Sequence, residues 1–575
     1  MSSKYTYQDL EADYINNRLE AWITSNSLLN ISQHEQNFSK RYVFNQLISF
    51  LNTKSNTICA ICGLRRTGKS VLMRQAIYEL IKSGVEPSRI AYITFGKNTE
   101  YTDTDLISKI RTLSNQVDYF FIDEMSYVKF DVENNSLNLL SDEFAVQGKK
   151  IVITGTFSYI LRLLSNDVLF DRMDKIDTTY FSFKEAHEVL GVTIEDFIVY
   201  GGIIAPNERL IPEEYMKSAI TSNIINSLIR SEKIYEIGCL NKDIDDVIED
   251  ERRLKLKLGI LIRRVMDNYM KFLIYAKILN ANYKFSDVGN LADLIRQRSQ
   301  RDSQLELVIN IDKKKYNRII ENYTGSINTQ DISKKCFDQL LSLFKQIGII
   351  EDLFLQHSYE SCFITPYLKY GLCEEICHQI DRDIQKEING LYSANLALDN
   401  LRGSILECVI YLDLKHSNKY NFDKYRNNET GYEVDLLITT EEGIHLYEIK
   451  YSEFDLIEHT RNIVNNDFIL ELEHIYSKKV TSYNIIYRGI TLTKEVNPEE
   501  VFQILVDSSI RENAKEKWMR LRDRAKQFSW STIQINYINA AEFLCMIQAS
   551  LKSRACLWVK VAKSGDVCYT YGMGA

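Results

Sequence analysis

Apolar residues along this chain fall into two patterns. Short runs in which nearly every residue is apolar recur near 58–62, 117–122 and 150–153, while elsewhere apolar residues stand three and four apart. Runs of four to eight apolar residues predict strands covered on both faces, and the wider spacing predicts helices with one apolar stripe. A helix over Tyr42–Leu51 (Val43, Leu47, Ile48, Leu51) therefore leads into a strand at Ile58. A second helix carries Met73, Ile77, Leu80 and Ile81 until Gly84 and Pro87 end it. Strands at Arg89–Phe95, Val117–Glu124, Lys149–Thr156 and Lys175–Phe181 follow, with a helix over 104–114 among them. Strands alternating with helices predict an α/β domain with a mostly parallel sheet and a ligand at the strands' C-terminal ends.

Farther along, 210–385 is mainly helical in pattern. A capped helix keeps Phe337, Leu340, Leu341 and Phe344 on one face, Gly348 stops it, and an apolar strand begins. That is the order of the second helix and wing of a winged helix-turn-helix, a unit that binds DNA or packs against protein. Near 400, Gly403 and Glu407 open a helix. Strands at Thr430–Ile438 and Ile444–Lys450 follow, and alternation in the latter puts Glu448 and Lys450 on one face.

Composition narrows the classes. With 575 residues there is room for three or four domains, and 45% hydrophobic and 26% charged residues are ordinary for a globular protein. A net charge of −8 argues against a chain that is basic throughout, and leaves room for a local basic patch at Leu254–Val265 or Lys515–Lys526. The start lacks the apolar core of a signal peptide, and no run approaches the roughly 18 residues that span a bilayer, so a cytoplasmic protein without membrane contact is expected. Eleven scattered cysteines suit free thiols. Cys59 and Cys62 read as small core residues rather than zinc ligands.

The chemistry sits where the first strand ends. Gly63-Leu64-Arg65-Arg66-Thr67-Gly68-Lys69-Ser70 fits G-x-x-x-x-G-K-[ST], and Val71 continues into the helix. Glycines let the backbone N–H groups face a phosphate, Lys69 reaches the β- and γ-phosphates, and Ser70 holds Mg²⁺. The strand ending in Asp123-Glu124 supplies the partner acids: Asp123 for Mg²⁺ and Glu124 to polarise the attacking water. Thr154 and Thr156, at the next strand's end, are candidate γ-phosphate sensors. ATP and Mg are the cofactors expected.

The order of this loop, FFIDE, IVITGT, FDRMDKIDTTYFSFKEAHEVLG and FIVYGGI resembles a group of prokaryotic AAA-type P-loop ATPases. The resemblance covers roughly 40–500. It implies a helical lid, a winged-helix-like segment and a C-terminal domain like restriction endonucleases. It also implies that Arg172, just before the fifth strand, serves as an arginine finger or sensor, acting across a subunit boundary in an ATP-dependent homo-oligomer. One departure is that Ile203-Ile204 follow Gly201-Gly202 and Pro206 comes later.

Asp435, then Glu448-x-Lys450, is the PD-(D/E)xK pattern without its proline. Two carboxylates on adjacent strands bind a divalent metal, Lys450 orients the attacking water, and Glu407 and Glu433 are further ligand candidates. The organisation expected is a helical extension at 1–40, a P-loop ATPase domain at 41–185, a helical lid at 186–265 and a winged-helix-like region at 266–390. A nuclease-like domain at 391–500 and an extension at 501–575 complete it. The function expected is a Mg-dependent ATPase coupled to a nuclease-like module, with DNA as its candidate partner. The alternative is a nucleotide-switched scaffold whose nuclease-like domain is silent.

Overall fold

A computed structural model of the chain describes residues 39–95, 102–125, 128, 138–155, 172–204, 211–225, parts of 256–270, 334–387, 395–427, 432–451, 466–497, 533–548 and a few positions between 501 and 523. The helical extension over 1–38, Thr156, Pro206, most of 226–333 and much of the basic segment 515–526 lie outside the described residues.

The first module contains α1 (Phe44–Asn52), β1 (Ile58–Cys62), α2 (Lys69–Lys82), β2 (Ile90–Thr94), α3 (Asp103–Leu113), β3 (Tyr119–Asp123), β4 (Lys150–Thr154) and β5 (Met173–Asp177). Its five strands are parallel, in the order β2-β3-β4-β1-β5. The unbroken apolar runs are explained by burial on both faces. Ile58, Ala60 and Cys62 enter one core, and Cys59 and Ile61 enter the other. Phe120 and Ile122 face the first of these cores, and Phe121 the second. Cys59 and Cys62 are accordingly buried thiols outside any disulfide. β5 stops at Asp177 rather than Phe181. Thr178 N still bonds Cys62 O at 2.8 Å, but beyond it the carbonyls of Thr178 and Tyr180 go to Arg41.

Ser182 caps α4 (Phe183–Leu190), whose end is set by Gly191 at φ 70, and α5 (Ile194–Tyr200) follows. Helical turns at Pro212–Tyr215 and Met216–Thr221 come next, and farther on α6 (Lys334–Gln346) and a hairpin of β6 (Ile350–Phe354) and β7 (Tyr359–Phe363). The helices α7 (Pro366–Glu387) and α8 (Asn395–Ser417) follow the hairpin. Gly403 and Glu407 lie in the middle of α8 instead of opening it.

The C-terminal module contains β8 (Asn421–Arg426), β9 (Glu433–Thr439), β10 (Ile444–Ile449), α9 (Asn466–Tyr476), β11 (Val480–Tyr487), β12 (Leu492–Val496), β13 (Ile533–Asn539) and α10 (Ala540–Ile547). Strands β8, β9 and β10 form an antiparallel meander, and α9 carries the chain over to β11, parallel to β10. The boundary expected at 500 is corrected here. β13 is inserted between β11 and β12, giving the order β12-β13-β11-β10-β9-β8. A central strand supplied from so late in the chain leaves no local signal. One continuous core runs from Leu64 through α4, α5, α6, the hairpin, α7 and α8 to Ile547, so these parts pack as one body. Among the described residues no helix is long and apolar enough to cross a membrane.

Candidate functional site

β1 delivers the loop 63–70 at its C-terminal end, where the positive end of α2 begins. Gly68 sits at φ 86 and Arg66 at φ 63. Gly63 is needed for space, since a Cβ there would stand 2.1 Å from Thr178 Oγ1. Three successive loop carbonyls are bonded from outside. Tyr215 OH donates to Arg65 O at 3.0 Å, Ile204 N–H to Arg66 O at 2.8 Å, and Arg41 Nη1 to Thr67 O at 2.9 Å. In a trans peptide the C=O of one residue and the N–H of the next point opposite ways. The N–H groups of Arg66, Thr67 and Gly68 are therefore turned to the other side, as an anion cradle requires.

Lys69 is 7% exposed, and its Nζ donates to Gly63 O at 3.0 Å and Leu64 O at 2.8 Å. Both acceptors are uncharged. Burial pushes its pKa down, and Glu124 and Asp123 oppose that shift without cancelling it. Asp123, at the end of β3, accepts from Tyr92 OH at 2.6 Å on one oxygen and from Thr154 Oγ1 at 2.6 Å on the other. β4 lies between β1 and β3, so Thr154 stands between loop and acid. Burial pushes the Tyr92 phenol up, which keeps it a donor. Glu124 holds φ 56, a left-handed backbone that costs a non-glycine residue about 1 kcal/mol and marks functional positions. Ser70 and Asp123 are hard oxygen ligands and fit Mg²⁺.

Arg172 is not brought to this loop. Its carbonyl accepts from Ile58 N at 2.9 Å, at the N-terminal end of β1, and its Nη1 pairs with Asp142 at 3.0 Å. A five-residue strand, roughly 16 Å, separates that edge from the cradle. This placement keeps Arg172 away from the loop of its own chain. What sequence reasoning missed is Arg41. It is 6% exposed, forks onto both oxygens of Glu185 at 2.9 and 3.1 Å, and bonds the carbonyls of Thr67, Thr178 and Tyr180. Its partners lie 26 to 144 residues away, so no local pattern announces it. Thr178 was missed likewise; its hydroxyl meets Thr67 Oγ1 at 2.8 Å.

The C-terminal residues do converge. β9 and β10 pair with Leu436 opposite Tyr447, so the next step sets Asp435 opposite Glu448. Lys450 Nζ lies 2.9 Å from Asp435 and 3.1 Å from Glu448. Ile449 N–H donates to the same Asp435 oxygen at 2.9 Å. Burial pushes the Asp435 carboxyl up, but Lys450, the Ile449 amide and Lys424 outweigh it and leave its pKa lowered. Burial pushes Lys450 down, and Asp435 and Glu448 outweigh it, so its ammonium is held firmly. With Lys450 between the two acids, Asp435 is lowered rather than raised. Glu407 pairs with Lys424 at 3.4 Å, and Glu433 with Arg426 at 3.8 Å. Among the described residues no three acids, histidines or cysteines are grouped to hold a metal, so the set Glu407, Asp435 and Glu448 is not assembled as one. Glu360, from β7, joins the centre unannounced at 3.7 Å from Lys424.

A family model described as an AAA domain matches residues 55–187, and this segment is an AAA-type P-loop domain with a parallel sheet. An uncharacterized protein of Haemophilus influenzae is 28% identical over 216 residues, 35% of this chain and 51% of that protein. The chain thus spans about half the length of that relative. Among solved structures, a Saccharomyces cerevisiae Hsp104–casein complex aligns at 13% identity and TM-score 0.24, over 38% of this chain and 42% of that one. AMPPCP-bound DnaA from Aquifex aeolicus aligns at 14% and 0.22, over 51% and 97%. Drosophila ORC bound to DNA aligns at 12% and 0.20, over 64% and 99%. Likeness at these TM-scores says nothing of what the chain does.

Proposed function

We propose that the chain binds ATP with Mg²⁺ at the loop 63–70 and hydrolyses it. One observation carries the reading: the cradle, a buried Lys69 bonded to neutral carbonyls, and Asp123-Glu124 meet at one end of a parallel sheet. Leu64 to Val71 supply loop and helix start, and Lys69 leaves the carbonyls of Gly63 and Leu64 for the β- and γ-phosphates. Mg²⁺ supplies charge neutralisation on the phosphates, held by Ser70 and Asp123. Tyr92 and Thr154 orient Asp123, and Thr154 is the sensor this geometry favours. Thr156 is retained as a second sensor candidate on sequence alone. Glu124 takes a proton from the attacking water. Arg172 then has a role only at a neighbouring copy's nucleotide, in an ATP-dependent homo-oligomer.

We infer further that α4, α5 and 211–225 form the lid, that α6 with the β6–β7 hairpin is a winged-helix-like unit, and that the C-terminal module is restriction-endonuclease-like. The helix–meander–helix–strand order and the meeting of Asp435, Glu448 and Lys450 support that fold. The scaffold reading draws on a specific observation of its own: Lys450 already neutralises both acids. Phosphate release by the purified chain with Mg²⁺ and ATP tests the ATPase, and absence of turnover by a nucleotide-binding chain sinks it. Cleavage of plasmid DNA with Mg²⁺ or Mn²⁺ separates nuclease from scaffold.

A further inference from the structure

We propose that the β6–β7 hairpin is a strut through which nucleotide at the P-loop sets the lysine–carboxylate centre of the C-terminal module. The inference rests on the ATP-binding reading. Both ends of the hairpin are seated on segments that touch the loop. Before β6, Gly348 turns at φ 78, and a Cβ there would stand 2.6 Å from Thr179. Thr179 follows Thr178, whose hydroxyl meets Thr67 and fills the space beside Gly63. After β7, a Cβ on Gly202 would stand 2.8 Å from Thr365 Cα, two residues from the Ile204 amide that bonds Arg66 O.

Further attachments of the hairpin are to α8 and to the C-terminal module. At its tip, His357 Nδ1 lies 2.7 Å from Asp423 Oδ2, which also accepts from Tyr476 OH at 2.6 Å. Along β6, Glu351 pairs with Lys415 at 2.7 Å and His416 at 2.8 Å. On β7, Glu360 shares Lys424 with Glu407. The tip, though exposed at Phe354, Gln356 and His357, is thus tied to β8 and α9 through His357.

The loop has a discrete change to transmit. Lys69 and Thr67 both donate to Leu64 O, so removal of Lys69 to a triphosphate leaves that carbonyl to Thr67, the residue whose hydroxyl meets Thr178. Thr179 and Gly348 have no slack between them, so a shift there passes to the hairpin as a body. At the far end a shift of Glu360 redistributes Lys424 between Glu360 and Glu407. Lys424 stands over the Tyr411 ring at 5.8 Å, and the Tyr411 hydroxyl donates to Asp435 O. The centre would therefore differ between the empty and the triphosphate-bound chain, and the coupling is reciprocal.

Hydrogen exchange of the full chain, with and without AMPPNP and Mg²⁺, tests this. Amides of β8, β9 and β10 are expected to change their exchange rate about fivefold on nucleotide binding. Glu360→Gln, and separately His357→Ala, should bind the analogue within about twofold of wild type and lose most of that change. Binding by the wild type with no change beyond the first module overturns the strut, as does a full change in both variants. No binding at all instead overturns the ATP reading, and this inference with it.

Discussion

Two lysines with opposite surroundings, Lys69 buried and Lys450 half-buried, mark the two candidate centres of this molecule. Lys69 donates to two neutral carbonyls, and burial leaves its pKa lowered. Lys450 lies between two carboxylates, which raise its pKa against burial. A buried cation bonded to carbonyls, with carboxylates acting on it only from a distance, gains most from an incoming anion, because the anion repays the desolvation that those groups repay only in part. A cation already paired gains little and serves to hold its acids in place. The first is built as a binding site in waiting, the second as a closed centre.

The largest effect expected is on the first lysine. Lys69→Ala should lower ATP turnover by at least about a thousandfold, since no other loop cation contacts the β- and γ-phosphates. Phosphate release at saturating ATP measures it, and wild-type turnover would remove the site assignment. Glu124→Gln should lower kcat by about a hundred- to a thousandfold while ATP affinity stays within about twofold. Fluorescent-nucleotide titration beside the rate assay separates the two, and equal loss of both would make Glu124 structural.

The second lysine should matter to stability. Lys450→Met leaves Asp435 and Glu448 facing each other in a buried place, and should cost about 3 kcal/mol of unfolding free energy at pH 7.5. The sign of its pH dependence sharpens the contrast. In the wild type the Asp435 pKa is lowered, so the stability it contributes is present above about pH 4 and is lost as pH falls through the folded value. In the variant the acids lack their counter-charge, so lowering the pH from about 8 to 5 should recover stability. Chemical denaturation at both pH values checks this, and parallel curves for the two proteins would show that Lys450 does not hold the acids. The smallest effect belongs to Arg172. Its pair with Asp142 is exposed, so Arg172→Ala should change stability by less than about 0.5 kcal/mol. A turnover loss beyond about tenfold, seen only at concentrations where the chain self-associates, would instead establish its role at a neighbour's nucleotide.

What was legible in the sequence was what its chemistry makes local. The loop needs glycines, a lysine and a serine within eight consecutive positions, because one turn of backbone must wrap one phosphate. The acids must close a buried strand, so Asp123-Glu124 stands at the end of an apolar run. Alternation along β10 placed Glu448 and Lys450 on one face, and their shared contact follows from it. The tertiary structure decided the rest, because each case turns on partners far apart in the chain. It put Arg172 at the edge of the sheet remote from the loop, since β5 runs parallel to β1 and the residue before it must lie beside Ile58. It bound Arg41 to carbonyls and a carboxylate as far off as Glu185, and it slid β13 between β11 and β12. It brought Glu360 to Lys424 by docking a hairpin on another module. Spacing along a chain records which residues one element can present together; which elements then meet, and whether an acid finds a metal or a lysine, is set by long-range packing and the charges it encloses.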